Sequence, residues 1–402
     1  MSGAGGGRGR LRRVAAALLA ASAFTGLARA GSPPPPHAKA IERSRALLDT
    51  ALLLYPGTSV AVAVGNDIVW STAFGYADVE RHRPVSRSTQ FRIYEVAMPL
   101  TAALMARLAD EGRLDLDAPI QRYLPGLVDA PFPVTARQLA AHLSGARDFV
   151  SGEEAPAPCA DAREAARRLR AGTFVRPSGV AFAPSRPGYL LLSAVLEAAS
   201  GKSFPALLSE TIASPAGMPS TLTDDPRRFL PGRTLFYERG WFGLLATARD
   251  VDVSCRYGAG GLVSTTGDLA RFGAALVAGE IVRPETLRAL FTPQRTRSGA
   301  ETGYGLGWHV DADARGRPIA WHGGRGVGGR AAIVLVPHAR LVVVMLSNIE
   351  GERLDEHARR IAAYFLESVE ASGGAPDVLR AAAPPGKSSV PLAYRALPAP
   401  GE

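Results

Sequence analysis

Strands at both ends of the chain, with helices between them, constrain its fold more than any other feature. Ser59-Val60-Ala61-Val62-Ala63-Val64, the turn Gly65-Asn66-Asp67 and Ile68-Val69-Trp70-Ser71-Thr72-Ala73-Phe74 read as a β-hairpin, because β-branched runs flank a Gly-Asn-Asp turn. Short apolar segments return at Gly305–Val310, Pro318–His322, Ala331–Val336 and Leu341–Leu346. From about Val96 to Leu290 the pattern is helical, broken by Pro- and Gly-rich loops. Val96–Glu111 sets Leu100, Leu104 and Leu108 on one face and stops at Gly112; Tyr189–Ala199 and Thr266–Ala278 also read as helices. A helix over Ala40–Leu54 precedes the hairpin, and an amphipathic helix over Arg353–Val369 closes the folded part. This order predicts an α/β (α+β) fold, with an antiparallel sheet built from both termini, flanked by helices, and an inserted helical subdomain. A ligand is expected in the cleft between the two parts.

The predicted domain spans 40–370, with sheet parts at about 40–90 and 300–370 and the helical subdomain at about 95–290. Residues 1–30 read as a secretory signal peptide: Arg12-Arg13, an apolar run from Val14 to Leu27, then Ala28-Arg29-Ala30 as a small-x-small cleavage site near Ala30. Residues 31–39 form a Pro-rich linker, and 372–402 read as a disordered tail. Five arginines of the leader account for most of the +9 formal charge, which leaves +4 on the rest. The remaining arginines are scattered, without the basic stripe that nucleic acid requires. No apolar run reaches the roughly 20 residues of a membrane span, so the mature chain is expected to have none. Export makes a disulfide between Cys159 and Cys255 permissible, while two unpaired cysteines are the alternative. The seven histidines show no metal-ligand spacing, and no cofactor is implied.

An ordered series of short motifs runs from about Tyr55 to Phe365. It comprises Phe74-Gly75-Tyr76-Ala77-Asp78, Thr89-Gln90-Phe91-Arg92-Ile93, Leu114-Asp115-Leu116-Asp117-Ala118-Pro119, His142-Leu143-Ser144-Gly145, Gly188-Tyr189-Leu190-Leu191-Leu192, Gly258-Ala259-Gly260-Gly261-Leu262, Trp321-His322-Gly323-Gly324 and Leu346-Ser347-Asn348. The series resembles the serine β-lactamase and penicillin-binding-protein superfamily, in the branch of class C β-lactamases, D-Ala-D-Ala carboxypeptidases and related esterases. The resemblance implies a Ser nucleophile at a helix N-terminus, a Lys three residues on, a Tyr or Ser on a facing loop, and a strand whose N–H groups complete an oxyanion hole.

Here the chain departs from the pattern. The Ser-x-x-Lys position reads Glu95-Val96-Ala97-Met98, and the Tyr-Ser-Asn position reads Pro184-Ser185-Arg186. Only His322-Gly323-Gly324 remains. The three lysines, Lys39, Lys202 and Lys387, follow Pro36, Ala199 and Pro384 at three positions, so no Ser-x-x-Lys exists elsewhere. No Gly-x-Ser-x-Gly elbow replaces it.

The degenerate site positions are therefore Glu95, Met98, Pro184, Arg186 and His322. Tyr94, Ser185, Gly323, Gly324 and Arg325 are the other cleft candidates. Glu95 reads either as a new acid or base or as a drifted residue, and Met98 as filler for the volume of a lysine stem. Pro184 has no polar group to replace a tyrosine. Arg186 has three readings: a charge-assisted pair with Glu95 at about 2.7–2.9 Å, an anion site, or a solvent-facing side chain. His322 either faces the cleft or shapes a strand edge. His142 reads as packing. The expected function is that of an exported, non-catalytic relative binding an unknown small ligand or cell-envelope partner. A hydrolase rebuilt on Glu95, His322 and water is the alternative.

Overall fold

A computed structural model describes residues 36–51, 55–126, 132–150, 159–169, 172–350 and 353–373. The expected signal peptide, most of the expected linker and all but two residues of the expected 372–402 tail lie outside them. In chain order the first elements are α1 (Ala38–Ala51), β1 (Gly57–Val64), β2 (Asp67–Asp78), β3 (Arg83–Pro84), β4 (Phe91–Arg92) and α2 (Ala97–Asp110). The middle of the chain supplies α3 (Ala136–Ala140), α4 (Ala162–Arg167), α5 (Arg186–Ser200), α6 (Phe204–Leu208), β5 (Leu222–Thr223), β6 (Tyr237–Arg239), β7 (Leu245–Thr247), β8 (Leu262–Ser264), α7 (Thr266–Val277) and α8 (Pro284–Leu290). The last stretch holds β9 (His309–Ala312), β10 (Pro318–Gly326), β11 (Gly329–Val336), β12 (Leu341–Ser347) and α9 (Leu354–Ala371).

The main sheet has the order β3-β2-β1-β12-β11-β10-β9, so an early and a late strand of the described residues meet where β1 pairs antiparallel with β12. Val60 faces Met345 and Val62 faces Val343 in that register. Both faces of the central strands are buried. Val60, Val62, Val343 and Met345 pack with Leu48 of α1 and with Ile361 and Phe365 of α9. Ala61, Ala63, Val342 and Val344 face the other way, into a core shared with α2, α5 and α7. Two covered faces explain why these strands read as continuous apolar runs rather than alternating ones. The sheet is antiparallel, built from both termini and flanked by helices, as the sequence implies.

Local rules set the boundaries. Ser185 caps α5, its hydroxyl accepting the Gly188 N–H at 3.0 Å, and Pro187 occupies the first turn. The helix therefore begins three residues ahead of the Tyr189 start suggested by apolar spacing. The expected strand at Gly305–Val310 forms only from His309, because Gly307 takes φ of +83° and breaks the extended run. β10 continues past His322 to Gly326. Cys159 and Cys255 are joined in a disulfide across 96 residues, with Cα atoms 5.3 Å apart.

Candidate active site

A cleft of about 300 Å³ opens between β10, the start of α2 and the loop leading into α5. A 3-10 turn over Tyr94–Val96 runs straight into α2, which brings Glu95 to the cleft wall and sets Met98 one turn deeper. Pro184, Ser185 and Arg186 form the opposite lip, and His322, Gly323, Gly324 and Arg325 line the β10 side.

The Glu95 carboxylate turns back toward the backbone. Its Oε2 accepts the N–H of Arg325 at 2.9 Å. Burial pushes its pKa up; the Arg325 N–H and its own nearby N–H, with Arg186 and Arg256 acting through space, offset part of that rise. The close approach of β10 requires glycine at 324, since a Cβ there would lie 2.7 Å from the Ile93 carbonyl oxygen and 2.8 Å from the Glu95 nitrogen. At Gly323 the nearest atom to such a Cβ is 3.7 Å away.

Arg186 does not pair with Glu95. Its Nε donates to Asp148 Oδ1 at 3.0 Å and its backbone N–H to the same oxygen at 3.0 Å. The physical reason is local: Arg186 is the first residue of α5, and Asp148 sits beside that N-terminus, where a carboxylate meets both the arginine and the helix dipole. The anticipated countercharge for Glu95 is thus spent on a closer acid. Ser185 is equally committed. Besides capping α5, its hydroxyl donates to the Arg147 carbonyl at 2.9 Å, and its N–H donates to His142 Nδ1 at 3.2 Å.

Tyr94 leaves the cleft altogether. It holds φ +46°, and its ring lies in a cradle of glycines on the β10–β11 turn, where a Cβ on Gly326 would meet Cε1 at 2.5 Å. Its hydroxyl donates to the Val327 carbonyl at 2.9 Å, and burial raises its pKa. Tyr94 is core rather than cleft wall.

His322 faces the cleft with both nitrogens engaged. Nδ1 lies 2.8 Å from the Gly323 carbonyl, which can only accept, so the proton sits on Nδ1 and Nε2 accepts the Tyr304 hydroxyl at 3.0 Å. Burial lowers its pKa well below the usual imidazole value. His309 stacks on Trp321 at 4.3 Å, and burial lowers it to about 4. His142 packs against Phe182, Tyr189 and Tyr304, and burial lowers it to about 3. The three imidazoles are neutral near pH 7.

Sequence reasoning missed Tyr304, His309, Asp148, Arg330 and Asp355, all of which line the cleft. The run Tyr304-Gly305-Leu306-Gly307-Trp308 carries a signal for the first: a Cβ on Gly305 would lie 2.1 Å from the Leu290 carbonyl oxygen, so the segment is pressed against α8. Asp148, Arg330 and Asp355 follow no spacing rule. Among the described residues no cluster of three or more His, Cys, Asp or Glu is placed to hold a metal, and no helix is long and apolar enough to cross a membrane.

Comparison with known proteins agrees with this architecture. A family model described as Beta-lactamase matches residues 50–366. The chain is 26% identical to the human serine beta-lactamase-like protein LACTB, mitochondrial, over 83% of this chain and 82% of that protein. It is 28% identical to penicillin-binding protein 4* of Bacillus subtilis, over 77% of this chain and 71% of that protein. Among solved structures, the octameric penicillin-binding protein homologue from Pyrococcus abyssi superposes with a TM-score of 0.71 at 23% identity, covering 81% of this chain and 77% of that one.

Proposed function

The chain belongs to the β-lactamase family, and from that premise we propose that it is an exported pseudoenzyme: a non-catalytic protein that binds a small ligand or a cell-envelope partner in its cleft. The observation that carries this reading is the Glu95 carboxylate held on the Arg325 N–H at 2.9 Å. In a serine hydrolase of this kind, such an N–H polarises the acyl oxygen as negative charge develops on it. Here a protein carboxylate already sits on it. Losing a nucleophile or base from a serine-hydrolase constellation costs about a millionfold in turnover, and this chain has Glu95, Met98 and Pro184 where the nucleophile, lysine and tyrosine belong. Export past a cleavage near Ala30 is supported by the leader's pattern and by the Cys159–Cys255 disulfide, which suits an oxidising compartment.

The rebuilt hydrolase, with Glu95 and His322 activating water, has less support. Both His322 nitrogens are occupied, and Glu95 is bonded to the Arg325 backbone N–H. Incubation with a fluorescent penicillin and with a fluorophosphonate tests the main reading: no covalent labelling is expected, and stoichiometric labelling overturns it. Hydrolysis of an ester and amide panel by wild type, lost in Glu95→Gln, would transfer the case to the second reading.

A further inference from the structure

Most polar groups of the cleft are committed to partners within the chain, but two donors are not. The first is His142, which lines the cleft and is only 4% exposed. Its Nδ1 accepts the Ser185 N–H at 3.2 Å, so the proton of the neutral ring sits on Nε2. That Nε2–H has no acceptor among the described residues. A buried N–H without an acceptor is costly, and few native structures keep one.

Arg325 is the second. Its backbone N–H holds Glu95, while its exposed guanidinium has no acceptor among the described residues. The β10–β11 register sets Arg325 directly opposite Arg330, so two arginines project from the same face of the hairpin. Like charges placed opposite each other weaken a strand pair. The acids of the cleft leave this guanidinium unanswered. Asp148 is taken by Arg186 at 3.0 Å, and Asp355 lies 3.8 Å from Arg330 and 3.7 Å from Arg359. Glu95 meets the N–H of Arg325 rather than its side chain.

One open donor is therefore deep and the other is at the mouth. Met98, Phe182 and the Tyr304 ring add apolar surface to the same cleft. We propose that this cleft binds a small organic carboxylate in one orientation. Its acid group would sit on the Arg325 guanidinium, a second acceptor oxygen on the His142 Nε2–H, and its apolar body against Met98 and Phe182. The proposal rests on reading the cleft as a binding site and names the class of ligand.

The donors select among ligands. A neutral amide would satisfy His142 and leave Arg325 unused. A cation would meet Arg325 and Arg330 at the mouth. One open guanidinium matches a single negative charge, and Asp355 beside Arg330 disfavours a doubly charged phosphate.

Isothermal titration calorimetry on the full chain tests this with three probes built on one ring. These are 4-carbamoylbenzoate, which carries both groups, terephthalamide, its neutral counterpart, and benzoate, which lacks the second acceptor. One saturable site for 4-carbamoylbenzoate is expected, with each of the other two about tenfold weaker. Arg325→Ala should weaken 4-carbamoylbenzoate about tenfold and leave terephthalamide unchanged. His142→Phe keeps a ring in the aromatic cluster and should weaken both carbamoyl probes by about tenfold, with little effect on benzoate. Should that variant not fold, the benzoate comparison and Arg325→Ala still decide. No saturable binding of 4-carbamoylbenzoate overturns the proposal. So does equal affinity for terephthalamide, or an Arg325→Ala variant that binds the acid as wild type does. Equal affinity for benzoate overturns the part assigned to His142. Fluorophosphonate labelling of the same preparation reads catalysis separately, so the proposal and the pseudoenzyme reading fail on different results.

Discussion

The carboxylate of Glu95 and the backbone N–H of Arg325 face each other at 2.9 Å across the cleft, joining the start of α2 to β10. Each partner has a separate cause. Arg325 presents its N–H because Gly324 lets β10 press against the Ile93–Glu95 turn. Glu95 reaches it because the 3-10 turn ahead of α2 places the side chain at the cleft wall rather than on the outer helix face.

Replacing Glu95 with Gln keeps an acceptor for Arg325 while removing the charge. Because burial raises the Glu95 pKa, the folded state binds a proton more tightly than the unfolded chain. The resulting penalty is absent below the ordinary carboxylate range, grows as pH rises through the raised value, and is complete above it. Glu95→Gln should therefore melt about 2 °C or more above wild type at pH 8, with the gap closing near pH 4. Scanning calorimetry across that range checks it, and a gap that widens on acidification contradicts it.

Gly323 and Gly324 should respond very differently to the same change. Gly324→Ala drives a Cβ into the Ile93 and Glu95 backbone and should cost about 1–3 kcal/mol as the strand shifts. Gly323→Ala has 3.7 Å of clearance and should stay within about 0.5 kcal/mol of wild type. Urea unfolding of the two variants decides this; equal losses would mean that β10 yields as a whole.

Much of the fold was legible because its signals are local. The β1–β2 hairpin announces itself through β-branched runs around Gly65-Asn66-Asp67, and the helical pattern read over Thr266–Ala278 forms as α7, Thr266–Val277. The site was legible in position and not in bonding. Sequence order placed Glu95, Met98, Ser185 and His322 around one cleft, yet the partner of Arg186 depends on Asp148, 38 residues away on a loop with no periodicity. Tyr94 was unreadable for a similar reason. Its burial rests on Gly324, Gly326 and Gly329, and no one-dimensional pattern shows that they form a cradle for a ring more than 200 residues upstream.

Behind the site, Arg92 and Asp224 form a fully buried ion pair at 2.6 Å, with Arg92 Nη2 also donating to the Val251 carbonyl at 2.9 Å. Arg92 lies three residues before Glu95, so this pair fixes the strand that feeds the 3-10 turn. Arg92→Met strands a buried carboxylate with only Arg233 left to compensate it. It should lose about 3–5 kcal/mol, read from chemical denaturation. A loss under about 1 kcal/mol would mean that Arg233 alone satisfies Asp224.

The histidines packed around the cleft weaken the fold in acid. Burial lowers His309 to about 4 and His142 to about 3, so below pH 6.5 the unfolded chain takes up protons that the folded chain refuses. The stability they contribute is present near neutrality and falls as pH drops from about 6.5 toward those values, at about 1.4 kcal/mol per proton per pH unit. Glu95, whose pKa moves the other way, opposes the fall between its raised value and the ordinary carboxylate range. His309→Phe keeps an aromatic face for the stack on Trp321 and removes one of the protons. Its stability should decline less steeply than that of wild type between pH 6.5 and 4, by up to a few kcal/mol at the acid end. Proton NMR gives an independent check, because the His309 imidazole resonances should not titrate above pH 5. Parallel stability profiles for the two proteins, or a His309 titration near pH 6.5, would show that the imidazole stays solvated and that the stack on Trp321 does not exclude water.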